Sequence, residues 1–404
     1  MFIMEKCVRI FTVLLFLSCQ VTHSQISWIH LSVLKGDIES PNEGDQQTCS
    51  VVADFNNDGI NDFVIGERTK TPSFSLYLRV KDAWGKFVID NEHRNPEAGA
   101  LTIDVDGDGD TDIIVGGDYL SNEVWWYENP FPDILPGKPW KRHLIKSSGK
   151  TKHHDIFAAD LDNDGRMEIV FWNQGANCLY FSRIPDDPTG EWELKKIYEY
   201  SNTMEALPRA EYLFNGGNEH EGFALGDIDG DKVPDLIGGG MWFKYQSNDS
   251  FIVYPIDPRY HYTRCAAGQL IKKGSPEVVL AVGDGRGPLN MYSYNRKKKQ
   301  WNVKTIVEEV NNAHSLAIVD FDRDGNMDIW YAEMRLDSGN EKSKNKILFG
   351  DGKGNFTREL IISEGIDNHE SKIVDLDGDG DLDILGKGYN HISGNVNIWL
   401  QDKK

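Results

Sequence analysis

The stretch DLDGDGDLD at residues 375–383 places a carboxylate at every second position and runs directly into the apolar pair Ile384 and Leu385. Like charges at that density repel, and carboxylates beside a buried run carry a desolvation cost unless a cation neutralises them. The pattern returns as DFNNDGIND at 54–62, DVDGDGDTD at 104–112, DLDNDGRME at 160–168, DIDGDKVPD at 227–235 and DFDRDGNMD at 320–328. A motif recurring at such intervals points to a repeat architecture, and the residues around it decide which one.

Each copy sits between two short apolar runs, for example SLAIV before Asp320 and IWYA after Asp328, the pattern of two buried strands joined by a polar loop. A third run follows a turn rich in Gly, Asn and Ser: FSLYLR, VWWYEN, CLYFSR, MWFKYQ, LNMYSY, KILFG and VNIWL. A fourth is marked by an aromatic residue with an aliphatic one five positions on: Trp28/Val33, Trp84/Ile89, Trp140/Ile145, Trp192/Ile197, Phe251/Ile256, Trp301/Ile306 and Phe356/Ile361. Seven third and seven fourth strands make seven units. The unit around 260–294, where AAGQLIKKGSPEVVLAVG keeps both inner strands but replaces the carboxylates, is a degenerate repeat.

The expected fold is all-β, a seven-bladed β-propeller of four-stranded antiparallel blades, which protects sheet edges by radial closure. The chain opens on a lone fourth strand, WIHLSV, and ends on a third, NVNIWLQ. The N-terminal strand is therefore expected to close the last blade, an offset for which a linear solenoid would have no use. Residues 25–404 then form a single domain. Ahead of it, Lys6 and Arg9 precede IFTVLLFLSC, a run too short to span a bilayer and similar to a secretory h-region, which gives a signal peptide over 1–24. The protein is expected to be secreted or periplasmic, and acylation of Cys19 would instead make it a lipid-anchored surface protein. No later segment could cross a membrane. A formal charge of −21 argues against nucleic acid and anionic membrane surfaces. Cys49, Cys178 and Cys265 lack framework spacing and read as small apolar residues, and a monomer is expected.

Calcium takes six to eight oxygen ligands in a flexible shell, which D-x-D-x-D-G-x-x-D supplies from a tight loop. The ligands expected from positions one, three, five and nine are Asp54, Asn56, Asp58 and Asp62; Asp104, Asp106, Asp108 and Asp112; Asp160, Asp162, Asp164 and Glu168; Asp227, Asp229, Asp231 and Asp235; Asp320, Asp322, Asp324 and Asp328; and Asp375, Asp377, Asp379 and Asp383. An EF-hand would close with Glu at its twelfth position, where this chain has Ile65, Tyr331 or Gly386. The site at 227–235 is the weakest, since Lys232 replaces the glycine and Pro234 stiffens the turn. With FGDGKGNF at 349–356, the loops resemble FG-GAP/VCBS repeats over essentially the whole mature chain. The resemblance implies calcium between the first two strands of a blade; it does not fix an activity, because the fold hosts lectins, adhesion modules and enzymes.

If those loops lie on one face, the start of each first strand lies on the other. Six residues before each first ligand stand Thr48, Ala98, His154, Glu221, His314 and His369, with His220 adjacent to Glu221. The degenerate blade offers His261 and Arg264 there, and the second strands end on Arg68, Asp118, Trp172, Trp242, Arg286, Glu333, Arg335, Tyr389 and His391. This predicts an axial pocket in which His154, His220, His314, His369, Arg264 and Tyr389 do chemistry and Trp172, Trp242, Arg286, Arg335 and His391 hold a substrate. Clustered imidazoles suit proton transfer or a transition-metal ion. The bland alternative is one structural hydrogen bond inherited by every blade.

Segments HHDIFAADLDNDG, NAHSLAIVDFDRDG and VWWYENP resemble, over about three blades, the propeller domain of aldos-2-ulose dehydratase, whose cupin part is absent here. That resemblance implies β-elimination on a sugar, with an imidazole such as His154 or His314 taking a proton alpha to a carbonyl or carboxylate, and Arg264 or Arg335 stabilising the enolate. Two functions stand: a carbohydrate lyase acting on an oligo- or polysaccharide, and a non-catalytic calcium propeller binding glycans or proteins. The lack of an attached adhesion or anchor module favours the enzyme.

Overall fold

Within the computed structural model the described residues are 26–201, 219–260, 262–336, 339–389 and 396–402; the expected signal peptide, His261 and His391 lie outside them. Seven antiparallel sheets of four strands each follow one another along the chain, and six of them take their strands in sequence order. The inner strands are Gln47–Ala53, Leu101–Ile103, His153–Ala159, Ala224–Gly226, Thr263–Gly268, Ser315–Val319 and Lys372–Val374, and they define blades 1 to 7. In blade 7 the outermost strand is Ser27–Ser32, paired with Val396–Asp402 so that Ser27 faces Asp402. The expected closure by the N-terminal strand is observed. Blade 1 packs its inner strand on those of blades 2 and 7, which completes the ring.

Period-two alternation builds the core between blades. Val64 and Leu76 of blade 1 face Ile113, Val115 and Trp125 of blade 2, while their neighbours Phe63, Ile65 and Tyr77 face Leu385 and Ile398 of blade 7. The fourth-strand tryptophans fill the same seams, with Trp140 edge-on to Phe55 at 5.8 Å.

The acidic loops join first and second strands, and their second residues, Phe55, Val105, Leu161, Ile228, Phe321 and Leu376, are all buried. The ninth-position carboxylate makes that burial workable. In blade 1, Asp62 accepts Phe55 N–H at 3.1 Å and Arg79 N–H at 2.6 Å; Asp112, Asp328 and Asp383 tie their loops to the third strand in the same way. Acids stand beside an apolar run partly because they satisfy its backbone. The degenerate blade 5 confirms the division of labour: it has lost the other carboxylates but keeps Glu277, which is buried and accepts Ile271 N–H at 2.8 Å.

Candidate functional site

On the face opposite the acidic loops the bore opens into a cavity of about 460 Å³. A local bulge delivers side chains to it. His154 is followed by Asp155 at φ 46°, where the register with the second strand slips, and His369 is followed by Glu370 at φ 52°. Blades 2 and 4 place Gly99 and Gly222 there, because a Cβ on Gly99 would sit 2.2 Å from Asp155 Cα and one on Gly222 would sit 2.7 Å from Thr263 O. Non-glycine residues hold this strained geometry in blades 3 and 7 through bonds between blades: Asp155 accepts Gly222 N–H at 2.7 Å and Glu370 accepts Ser50 N–H at 2.9 Å.

Six residues before the first ligand is therefore a cavity position, and His154, Glu221, His314 and His369 all line it. His154 Nδ1 donates to Asp155 at 2.9 Å and its Nε2 lies 3.4 Å from Glu221, whose other oxygen is 3.3 Å from His314 Nε2. His314 stacks on His369 at 4.3 Å, and His369 on Tyr389 at 4.6 Å. Lys387, fully buried, donates to His369 Nδ1 at 2.9 Å and to two backbone carbonyls. Arg68 completes the wall by pairing with Asp118 and the Tyr389 hydroxyl.

These contacts pull the titrations apart. Burial opposes charge on His154, but the carboxylates of Glu221 and Asp155 push it up to about 10. Glu221 is held down at about 2 against its burial by His154, His314 and Arg264. Burial, with the positive charge of Lys387, drives His369 far below the ordinary imidazole value, so it is neutral. Glu97 is raised well above the usual carboxyl range by burial and by Asp118, and Asp284 to about 6 by burial together with the Glu221 charge, against His314.

Several expected residues are elsewhere. His220 is buried against Tyr200, stacked at 4.0 Å, because it stands one residue out of phase and its side chain leaves the bore. Trp172 and Trp242 are core residues: Trp172 stacks on Phe223 at 5.5 Å, and Trp242 packs on Tyr254 at 4.7 Å. Neither can present a face to a sugar. Arg264 lies behind the cavity, bonded to Asp155 at 2.8 Å, and faces a second cavity of about 410 Å³ further down the bore. Arg286 lines a separate small cleft, and the Arg335 guanidinium turns to the carbonyls of Gly339 and Gly365. Conversely, Asp284, in the stretch GDGRGP that reads as a plain turn, lines the cavity, as do Glu97, Lys152 and Glu219.

Residues 104–171 match the family model described as FG-GAP-like repeat. No curated protein matches the chain. Among solved structures it is similar to BBS1N in complex with ARL6DN, with TM-score 0.52 and 10% identity over 89% of this chain and 94% of that one for the lead-soaked crystal. The mercury-soaked crystal gives 0.51 and 11% over 92% and 96%. The V. cholerae biofilm matrix protein Bap1 gives 0.46 and 11% over 89% and 88%. At these identities the BBS1N likeness shows a shared fold alone.

Proposed function

The chain is a seven-bladed propeller carrying an FG-GAP-like repeat, and on that frame we propose an exported, calcium-stabilised carbon–oxygen lyase that performs β-elimination on a neutral sugar in the axial cavity. The observation that carries this reading is one cavity holding two carboxyls of opposed protonation, Asp284 and Glu97, among three imidazoles and Tyr389. Asp284 titrates near working pH and its Oδ1 has no hydrogen-bond partner, which suits the base that takes a proton alpha to a carbonyl. Glu97 retains its proton and can pass it to the departing oxygen. Arg68 and the Tyr389 hydroxyl are placed to hold the developing enolate. His154, one of the two imidazoles offered as base from sequence, is charged at neutral pH and instead supports negative charge. With Glu97 protonated, Asp118, Glu219, Glu221 and Asp284 still outnumber Arg68, Lys152 and the charged His154 along the wall, which disfavours anionic uronates. A neutral keto sugar is the substrate class.

A transition-metal ion fits the same cluster. One ligand atom from each of His154, Glu221 and His314 lies within 4.8 Å of the others. Asp155 accepts a hydrogen bond from His154 Nδ1–H, which turns Nε2 toward the ion; the Nε2 proton would be displaced on binding. When bound, the ion would polarise the substrate carbonyl. Calcium belongs to the reading as well: ligand atoms of Asp104, Asp106 and Asp108, of Asp160, Asp162 and Glu168, of Asp227, Asp229 and Asp235, and of Asp320, Asp322 and Asp328 converge within 4.8 Å in each loop, and Asp320 Oδ1 is buried without a partner. The apolar run at residues 10–19 supports export.

Incubation with neutral keto sugars should yield a conjugated enone, read by near-ultraviolet absorbance. Asp284→Asn should abolish it with an unchanged circular dichroism spectrum. If no such sugar gives product yet calorimetry shows that sugars bind, the chain is a glycan-binding propeller. If they do not bind either, a protein partner, which the similar BBS1N has in ARL6DN, becomes the better reading.

A further inference from the structure

The acidic loops are not chemically equivalent, and the difference is set by cross-strand register. On the third strand, the residue facing the ninth-position carboxylate is Arg183 in blade 3, opposite Glu168. In blade 4, where Leu236 faces Phe243, the next pair outward is Asp235 and Lys244. Blades 1, 6 and 7 have Leu78, Phe349 and Leu400 at that place, and blade 2 has the acid Glu128.

The two basic side chains use their position. Arg183 NH1 lies 2.9 Å from Glu168 and 3.3 Å from Asp164, and its NH2 pairs with Asp162. Lys244 pairs with both Asp229 and Asp231. Ligand atoms of Asp160, Asp162 and Glu168, and of Asp227, Asp229 and Asp235, still converge within 4.8 Å, but in each loop a cation occupies two or more of the carboxylates and stands where a second positive charge would be repelled. Among the described residues no salt bridge joins a Lys or Arg to a carboxylate of 54–62 or 104–112, and in 375–383 Arg323 reaches only Asp381, at 3.1 Å, which is not one of the four side-chain ligands. In 320–328 Arg358 reaches Asp322 alone, and Asp320 Oδ1 remains buried and unpartnered. The loops of blades 3 and 4 depart from the motif by Glu168 and by Lys232 with Pro234, whereas the departure of blade 1, Asn56, still offers a side-chain oxygen.

We infer that Arg183 and Lys244 are built-in substitutes for the divalent ion, so that blades 3 and 4 hold no calcium while blades 1, 2, 6 and 7 each hold one. This rests on the calcium reading above. The test is the number of calcium ions retained by the metal-stripped full chain, measured by equilibrium dialysis and elemental analysis in the chain and its variants. Asp58→Asn, Asp108→Asn, Asp324→Asn and Asp379→Asn, all at the fifth position, should each lower the count by one, and Asp164→Asn and Asp231→Asn should not change it. Arg183→Met and Lys244→Met should each raise it by one. Counts are compared between variants, so an ion in the axial cavity cancels. A loss of one ion from Asp164→Asn or Asp231→Asn overturns the inference even if the Met variants fail to fold. A chain that takes up no calcium overturns both this and the calcium reading, whereas six occupied loops overturn this alone.

Discussion

Asp155 does three jobs from one strained backbone position: it orients His154, pairs with Arg264 and accepts the Gly222 N–H of the next blade. Arg264 and His154 hold its carboxyl well below the usual range despite burial. Asp155→Asn should therefore cost about 3–5 kcal/mol of stability, as removal of one partner from a buried ion pair does, read as a lower urea midpoint. Asp284→Asn, whose carboxyl has far fewer partners, should leave that midpoint nearly unchanged while turnover falls by about 10²-fold or more. Sequence counting located His154, His314 and His369 because each stands the same six residues before the first carboxylate of its loop. It misplaced His220 because a one-residue step on a strand turns the side chain to the other face, and Trp172 and Trp242 because they stand on the second and third strands, away from the inner ring. Asp284 escaped notice because a Gly-rich turn carries no periodicity from which a direction could be read.

At the scale of the strand–loop–strand unit, the ninth-position carboxylate has a structural role that does not depend on an ion, whereas the others are the proposed ion ligands. Glu277 shows this, persisting where the rest of the motif is gone. Asp112→Asn should cost about 1–3 kcal/mol even without calcium, since it disturbs two buried backbone N–H groups, whereas Asp108→Asn should matter only when calcium is present; thermal melts with and without chelator separate the two. Burial raises Asp62, Asp112, Asp328 and Asp383 to about 7 in the ion-free fold, against about 4 when unfolded. The folded state thus keeps these protons to higher pH, so their stabilisation is complete below about pH 4 and is lost as pH rises through 7. The chelated chain should melt higher at pH 5.5 than at pH 8, and calcium should close the gap. Repeat number, strand order and loop position were all legible, because each blade states them again. The built-in cations were not, since Arg183 and Lys244 lie 15 and 9 residues beyond the carboxylates they face, and only the hairpin register brings them together.

Across the whole molecule, closure and chemistry depend on the same ring. Side chains that line the cavity come from blades 1, 2, 3, 4, 5, 6 and 7 alike, so a blade that drifts outward opens the site as well as the seam. Removing residues 1–32 should expose the edge of Val396–Asp402, lower the melting temperature and promote self-association, detectable by light scattering. The pairing of Ser27 with Asp402 has a further consequence. The first and last strands end side by side on one blade, so a short linker could fuse them into a covalent hoop, and the chain could be reopened at an exposed turn such as that around Gly149. Such a circular permutant would keep every blade while moving both termini away from the seventh.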